Sequence, residues 1–365
     1  MDLSPSPVLT AVAPYGRTNA TVRARLLQWI QRLELDPVEL VLATGPLGRS
    51  AQRRSRGSAQ TPVLLIRNAA KLSRGRVEAR LLRAGAPGVY DLDDGLPWDD
   101  GRLPGLGVWW KRPWPRSLIA ERAAGSADRV IAGNELLAEW ASTHCADVVV
   151  IPTCVEPADY VRKVDFDLSD PPRLGWLGSP ATEQYLIDIA PALAELHRRT
   201  GARLTIVGGS RDLHPDLLPY SDCVDWTLAV QHSLPATWDV GIMPLRDGVY
   251  ERAKCAYKLL QYGAVGLPGV GSPVGTNATV LNHSGSPAPR MLDDWVESVS
   301  SLLTVSAETR EGQGAQASES VKLHYSFDRW EADWLSAVFG VRDLRRTAGR
   351  VARRTDSPTR TPPPR

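Results

Sequence analysis

Short apolar runs recur along the chain, separated by stretches in which apolar residues fall at helical spacing. The pattern begins with Val8–Ala13, punctuated by Pro14-Tyr15-Gly16. Ala20–Leu33 follows, with Val22, Leu26, Leu27, Ile30 and Leu33 on the helical period. This predicts a strand, a glycine turn and a helix. Further strands are expected at Val38–Leu42, Val63–Ile66, Gly88–Leu92, Arg129–Ile131 and Val148–Ile151. Helices are expected between them, at Leu72–Arg83, Leu118–Gly125 and Glu135–Thr143. Lys163–Pro172 is polar, ends in Ser-Asp-Pro-Pro and reads as a linker. A second unit then offers strands at Arg173–Leu177, Arg203–Val207, Cys223–Asp225, Val240–Met243 and Gly266–Gly271. Its helices are predicted at Glu183–Arg198, Ala256–Gly263, Leu292–Leu303, Ala307–Lys322 and Arg329–Phe339. Strands alternating with helices imply parallel sheets covered on both faces. The expected fold class is therefore α/β, with domains at residues 1–165 and 166–340 and a tail at 341–365.

Composition supports this division. The 365 residues exceed what one ordinary core organises. Lys+Arg number 43 and Asp+Glu 41, a net charge of +2, so no nucleic-acid partner is expected. The four cysteines show no paired spacing, which favours a reducing compartment. The start of the chain lacks a secretory pattern and no run is apolar enough to span a membrane, so a cytoplasmic location is expected. The tail carries eight arginines, ends in Thr-Pro-Pro-Pro-Arg and is expected to be disordered. Trp98, Trp109, Trp110 and Trp114 lie near Lys111, Arg112 and Arg116. Packing or stacking on a sugar ring or other flat ligand is the first reading, and peripheral membrane contact through residues 109–114 the alternative.

Chemistry is expected where glycine turns open helices, because free N–H groups and the helix dipole favour an anion there. Two turns qualify: Pro14-Tyr15-Gly16, and the segment from Gly178 and Ser179 to Thr182. Within Tyr250–Tyr262, Lys254 and Lys258 are four apart, which predicts one shared helix face. Two lysines at a helix start conflict with its dipole unless an anion is present, and a diphosphate would resolve the conflict. Asp91-Leu-Asp93-Asp94 ends a predicted strand. Its carboxylates are open to three readings: a metal pair, a group that orients or deprotonates a hydroxyl in a cleft, or Asx-turn caps. The histidines have no metal-ligand spacing, and no Gly-X-Ser-X-Gly elbow supports hydrolase chemistry.

Seven blocks in order make a more specific signal. They are Val89–Asp94, Ala127–Asn134, Ile151–Val155, Gly175–Thr182, Trp238–Pro244, Ala253–Gly275 and Tyr325–Trp330. Together they resemble family 4 glycosyltransferases, from about Val8 to about Phe339. The resemblance implies the GT-B arrangement, two Rossmann-like domains facing across a cleft, with the last helix crossing back to the first domain. It implies sugar transfer from a nucleoside-diphosphate donor to an acceptor hydroxyl, with retention, no essential metal and no cofactor beyond the nucleotide-sugar co-substrate. The acceptor, a small molecule or an envelope glycan, would sit on the first domain, beside Tyr15 and Gly16. Lys254, Lys258, Gly178 and Ser179 would hold the diphosphate. Gln261, Gly208 and Gly209 would face the nucleoside, and Asp93 or Asp94 the acceptor. Two departures matter. The family's paired Glu positions fall on Ala253 and Gln261, and Ser179 and Thr182 stand where relatives carry Arg and Lys. The missing Glu pair keeps open a catalytically degenerate nucleotide- or partner-binding protein, and the same architecture keeps open a sugar-nucleotide epimerase.

Overall fold

The structure, a computed structural model, describes residues 8–43, 48–54, 61–99, 115–210 and 212–340. The expectations for Trp109, Trp110, Trp114 and the tail 341–365 lie outside these residues.

Two parallel sheets form. The first contains β1 (Leu9–Ala13), β2 (Val38–Leu42), β3 (Val63–Ile66), β4 (Gly88–Leu92), β5 (Arg129–Ala132) and β6 (Val148–Val150), in the order β2-β1-β3-β4-β5-β6. The second contains β7 (Arg173–Leu177), β8 (Arg203–Val207), β9 (Ser221–Val224), β10 (Val240–Met243) and β11 (Gly269–Gly271), in the order β11-β10-β7-β8-β9. β1, β3, β4 and β10 are buried along their whole length. This is why their sequences read as continuous apolar runs rather than alternating ones. Each order reverses once, between β1 and β3 and between β7 and β10. The crevice outside the strand ends at such a reversal is where open α/β sheets bind ligands.

The last helix, Phe327–Phe339, packs on the core of the first sheet. Trp334 stacks on Trp29 with centroids 5.0 Å apart, and Phe327 meets the same indole edge-on at 4.6 Å. The chain thus passes between the sheets at Ile151–Tyr160 and again at Tyr325–Phe327, where Val155 N–H donates to Tyr325 C=O at 3.0 Å.

Several sequence expectations change. The predicted linker is fixed to the second domain: Lys163 N–H donates to Val265 C=O and Ser169 N–H to Asp239. The buried Arg310 guanidinium holds Phe166 C=O at 2.8 Å. The predicted helix Glu183–Arg198 breaks at Ile189, two residues before Pro191, into Gln184–Asp188 and Ala190–Thr200. A helix at Thr276–Ser284 has no counterpart in the apolar pattern, because Asn277 and Ser284 are half of its buried face. The first helix widens midway: α-helical Ala20–Val22 and Gln28–Arg32 flank a π-helical turn, Arg23–Leu27. That turn points two arginines inward, Arg23 and Arg25, and π-turns recur at functional sites.

Candidate active site

The strand reversals of the two sheets face each other across a cavity of about 460 Å³. The second domain contributes the ends of β7, β8 and β10, at Gly178, Gly208 and Met243, and the segment Lys254–Gln261. The first contributes Thr18–Ala24, Arg67 after β3, and Asp93 and Asp94 after β4.

The floor is the start of the helix Tyr257–Val265. Ala256 precedes it in the left-handed region, with φ 53° and ψ 20°. A residue with a Cβ adopts this conformation at a cost of about 1–2 kcal/mol. The turn separates Lys254 from the helix, so the two lysines do not share one helix face as their spacing predicted. Lys254 instead points across the cleft. Lys258, in the first turn, points into it. Among the described residues, the Tyr257, Lys258 and Leu259 N–H groups have no backbone acceptor, as at any helix start. The Lys258 ammonium sits 5.3 Å from the centroid of Trp176 and has no carboxylate partner among the described residues. Burial, reinforced by the like charge of Lys254 and opposed by Asp94, pushes its pKa down to about 8.

The wall opposite is an ion cluster. Arg67, itself at φ 55°, binds Asp93 through Nε and Asp94 through Nη1 at 3.1 Å. Its loop is held by the buried Glu78, which accepts from the Ala69 and Ala70 N–H groups and the Ser73 hydroxyl. Lys254 Nζ reaches Asp94 from the other domain at 3.2 Å, and the Tyr250 hydroxyl reaches it at 3.4 Å. Burial opposes the Asp94 charge, but Lys254 and Arg67 hold its carboxyl far below the usual range. Such a carboxylate is a weak base and a good hydrogen-bond acceptor. Of the two roles expected for this carboxylate, orienting a hydroxyl suits a group held ionised by two cations better than deprotonating one. The metal reading of Asp91 is corrected. Both of its oxygens accept from the buried Arg25, at 2.9 and 2.7 Å, so neither is presented to a cation.

At the far end Arg23 lies 4.4 Å over the Trp226 ring and donates to Gln231 at 2.8 Å. Gln231 also accepts from Trp226 Nε1 at 3.1 Å. Gln261 lines this end but commits Nε2 to the buried Tyr160 hydroxyl at 3.3 Å.

The two domains also meet at a seam. Asn134 Nδ2 donates to Ala253 C=O at 2.8 Å, and Ala253 and Cys255 join the first domain's core. A Cβ on Gly133 would lie 2.5 Å from Cys255 Sγ, and one on Gly95 would lie 2.6 Å from the Tyr250 ring. Gly133→Ala is expected to destabilise the chain by about 1–3 kcal/mol through overpacking. It should also enlarge the scattering radius by loosening the seam. An unchanged denaturation midpoint would show that the seam tolerates the methyl group.

Of the sequence candidates, Lys254, Lys258, Asp93, Asp94, Gln261, Gly178, Ser179 and Gly208 all line the cleft. The amides of two are already engaged: Gly178 N–H donates to Val207 C=O and Ser179 N–H to Thr182 Oγ1. They shape the cleft rather than offer free donors. Gly209 falls outside the lining, turned toward Ile206 and Glu183. Tyr15 and Gly16 also fall outside it. The Tyr15 ring packs on the first domain's core and under Lys71, and the first domain's wall of the cleft begins at Thr18. Arg23, Arg67, Trp226 and Gln231 were not singled out in the sequence. Arg67 and Trp226 follow strand ends, which is the signal that marks them.

No protein-family model and no curated protein matches the sequence. Solved structures do match. HepE of Anabaena, in complex with UDP and glucose, aligns with a TM-score of 0.64 at 14% identity, over 90% of this chain and 99% of its own. An alpha-glucosyltransferase in complex with UDP and a 13-mer DNA containing a HMU base aligns at 0.63 and 11%, over 92% and 100%. This chain has the GT-B fold. The chain spans 61% of the matched chain of the GtfA/B complex and 55% of S. aureus TarM, at TM-scores of 0.51 and 0.52. At these identities the likeness establishes the fold, and family 4 membership is a narrower claim that it does not carry. Among the described residues, the cleft between the two sheets offers two cations without a carboxylate partner, Lys258 and Arg23, an open helix start, and the carboxylates of Asp93 and Asp94. Among the described residues, no group of three or more His, Cys, Asp or Glu is placed to hold a metal ion. No helix among them is long and apolar enough to cross a membrane.

Proposed function

We propose that this chain is a glycosyltransferase of family 4 that moves a sugar from a nucleoside diphosphate to an acceptor hydroxyl, with retention and without an essential metal. The observation that carries the reading is Lys258 at the open start of the helix Tyr257–Val265, half-buried in the interdomain cleft and without a carboxylate. Burying an ammonium without a partner is costly, and a bound diphosphate supplies the partner. The solved neighbours HepE and the alpha-glucosyltransferase hold UDP, which agrees with a nucleotide donor.

In the reaction, the bond from the anomeric carbon to the diphosphate oxygen breaks and the bond to the acceptor oxygen forms. The nucleoside diphosphate leaves with the electron pair, and the acceptor proton is released. Lys258 and the helix N–H groups neutralise the charge that grows on the leaving oxygen. Asp94, kept ionised by Arg67 and Lys254, accepts from hydroxyls and orients them. Asp93 lies beside it, bound to the same Arg67, and the acceptor proton leaves to the departing diphosphate or to water. The Arg23–Trp226–Gln231 group closes the nucleoside end, with Gln261 and Gly208 beside it.

A thermal-shift panel of nucleoside diphosphates and nucleotide-sugars, run at pH 7 and pH 9 with EDTA, tests this. A native-state ligand must raise the midpoint. One diphosphate family should do so at pH 7. Its effect should shrink at pH 9, because Lys258 loses its proton as the pH passes about 8. No shift with any compound would sink the reading.

A second reading, a nucleotide-binding protein without turnover, is favoured by Ala253. It stands where the resemblance places a sugar-contacting Glu and is buried in the seam instead. Transfer or hydrolysis of any donor by the purified chain would eliminate it. Isomerised nucleotide-sugar as the product would indicate an epimerase.

A further inference from the structure

A second interdomain groove, of about 480 Å³, shares no lining residue with the cleft. The Asn134–Ala253 hydrogen bond lies in the seam between them, with Arg252 lining the groove and Lys254 the cleft. Its walls come from both passages of the chain between the domains, at Val150 and Pro152 and at His324–Trp330. The start of the helix Thr276–Ser284 forms a third side.

The groove's chemistry is aromatic and polar, and among the described residues that line it the exposed Glu135 carboxylate is the charge without an ion-pair partner. That carboxylate disfavours an anion and can accept from hydroxyls. The His283 and His324 rings stack at 4.3 Å beside Tyr325, and Trp330 follows, with Arg329 over its ring at 4.5 Å. Arg252 is paired with Asp247 at 2.7 Å and Arg329 with Asp333 at 3.4 Å. Burial and the neighbouring His324 lower the pKa of His283, so its imidazole is neutral and both donates and accepts. The Thr276 hydroxyl is enclosed and has no hydrogen-bond partner. An anion would find no unpaired cation here, and an apolar ligand would strand these polar groups. A ligand with C–H faces for the rings and hydroxyls for the side chains satisfies both, and the volume lies in the usual range for small-molecule sites.

We propose that this groove is a second binding site and that it takes a neutral oligosaccharide. It is independent of donor chemistry and holds glycan beside the two passages of the chain between the domains.

The test uses the full chain with neutral gluco- and manno-configured trisaccharides, read by saturation-transfer NMR and isothermal titration. At least one should bind, and saturating UDP should not displace it. Thr279→Trp, which fills the groove from an exposed helix position, and His324→Ala, also at an exposed position, should each weaken binding by about two- to tenfold, the scale of a lost aromatic contact. Lys258→Ala should bind the trisaccharide as the parent does. Because the readout needs no turnover, an inactive donor cleft leaves it intact. Failure of every neutral trisaccharide to bind would overturn the proposal. So would displacement by UDP, or binding by phosphorylated or sulfated glycans alone.

Discussion

Lys258→Ala is expected to lower kcat by roughly 10²–10³-fold, the scale for removing one preorganised group that meets charge developing in the transition state. The folded protein should not suffer. The ammonium sits against Trp176 in a poorly solvated wall, with Lys254 nearby and no carboxylate of its own. Removing it removes a desolvation cost, so the thermal midpoint at pH 7 should stay or rise. Its folded pKa of about 8 lies below the ordinary lysine value. The unfolded chain therefore holds more protons between those values, and stability from this group rises with pH across that window. That rise should vanish in Lys258→Ala. Lys254→Ala should behave differently. It leaves Asp94 with Arg67 but loses the cross-domain pair, so it should raise KM for donor and acceptor before it lowers kcat. Parent-like turnover in Lys258→Ala would remove this residue from the mechanism.

The contrast between these two lysines shows how far the sequence could be read. Strands were legible because buried parallel strands are apolar on both faces. β1, β3, β4 and β10 stand within a residue of their predicted runs. Lys258 and Gln261 were legible because they sit at a helix start and inside its period. The partner of Lys254 was not, because Asp94 is 160 positions away and belongs to the other domain. Nor was the break between the lysines, since it depends on one alanine, Ala256, held left-handed by its surroundings. Arg67 escaped for a related reason. It is the first residue after an apolar run, and only the sheet order places it opposite β4's acidic end. Local pattern gives elements and helix starts, whereas the cleft is made of pairings between elements distant in the chain.

Those pairings also explain the seam. Gly95 and Gly133 leave room for Tyr250 and Cys255, and Asn134 holds Ala253 C=O. The segment to which the family 4 resemblance would give a sugar-contacting Glu is here committed to holding the domains together. On the proposed function, sugar hydroxyls are then read from the other side of the cleft, where Asp94 lies.

Arg25 gives the largest expected effect on stability. It is 1% exposed, on the π-helical turn, and its guanidinium makes two bonds to Asp91 and one to Ile151 C=O at 2.9 Å. The three bonds join the first helix, β4 and the first crossover. Arg25→Met should destabilise the protein by about 3–5 kcal/mol, because it leaves the Asp91 carboxylate buried without a partner. Removing both charges should cost far less. A buried ion pair replaced by apolar groups of similar size is often neutral, so Arg25→Met combined with Asp91→Leu should regain most of the loss. Denaturant midpoints of the parent, the single and the double variant decide this. If the single change costs less than about 1 kcal/mol, solvent reaches Asp91 and the pair is not a buried one. If the double variant is as weak as the single, the loss comes from the Ile151 carbonyl and the crossover rather than from the stranded charge. Donor binding supplies a second readout. Arg23 lies two residues away on the same turn, so a variant that keeps its fold but loses the π-turn should also lose the closure of Arg23 over Trp226.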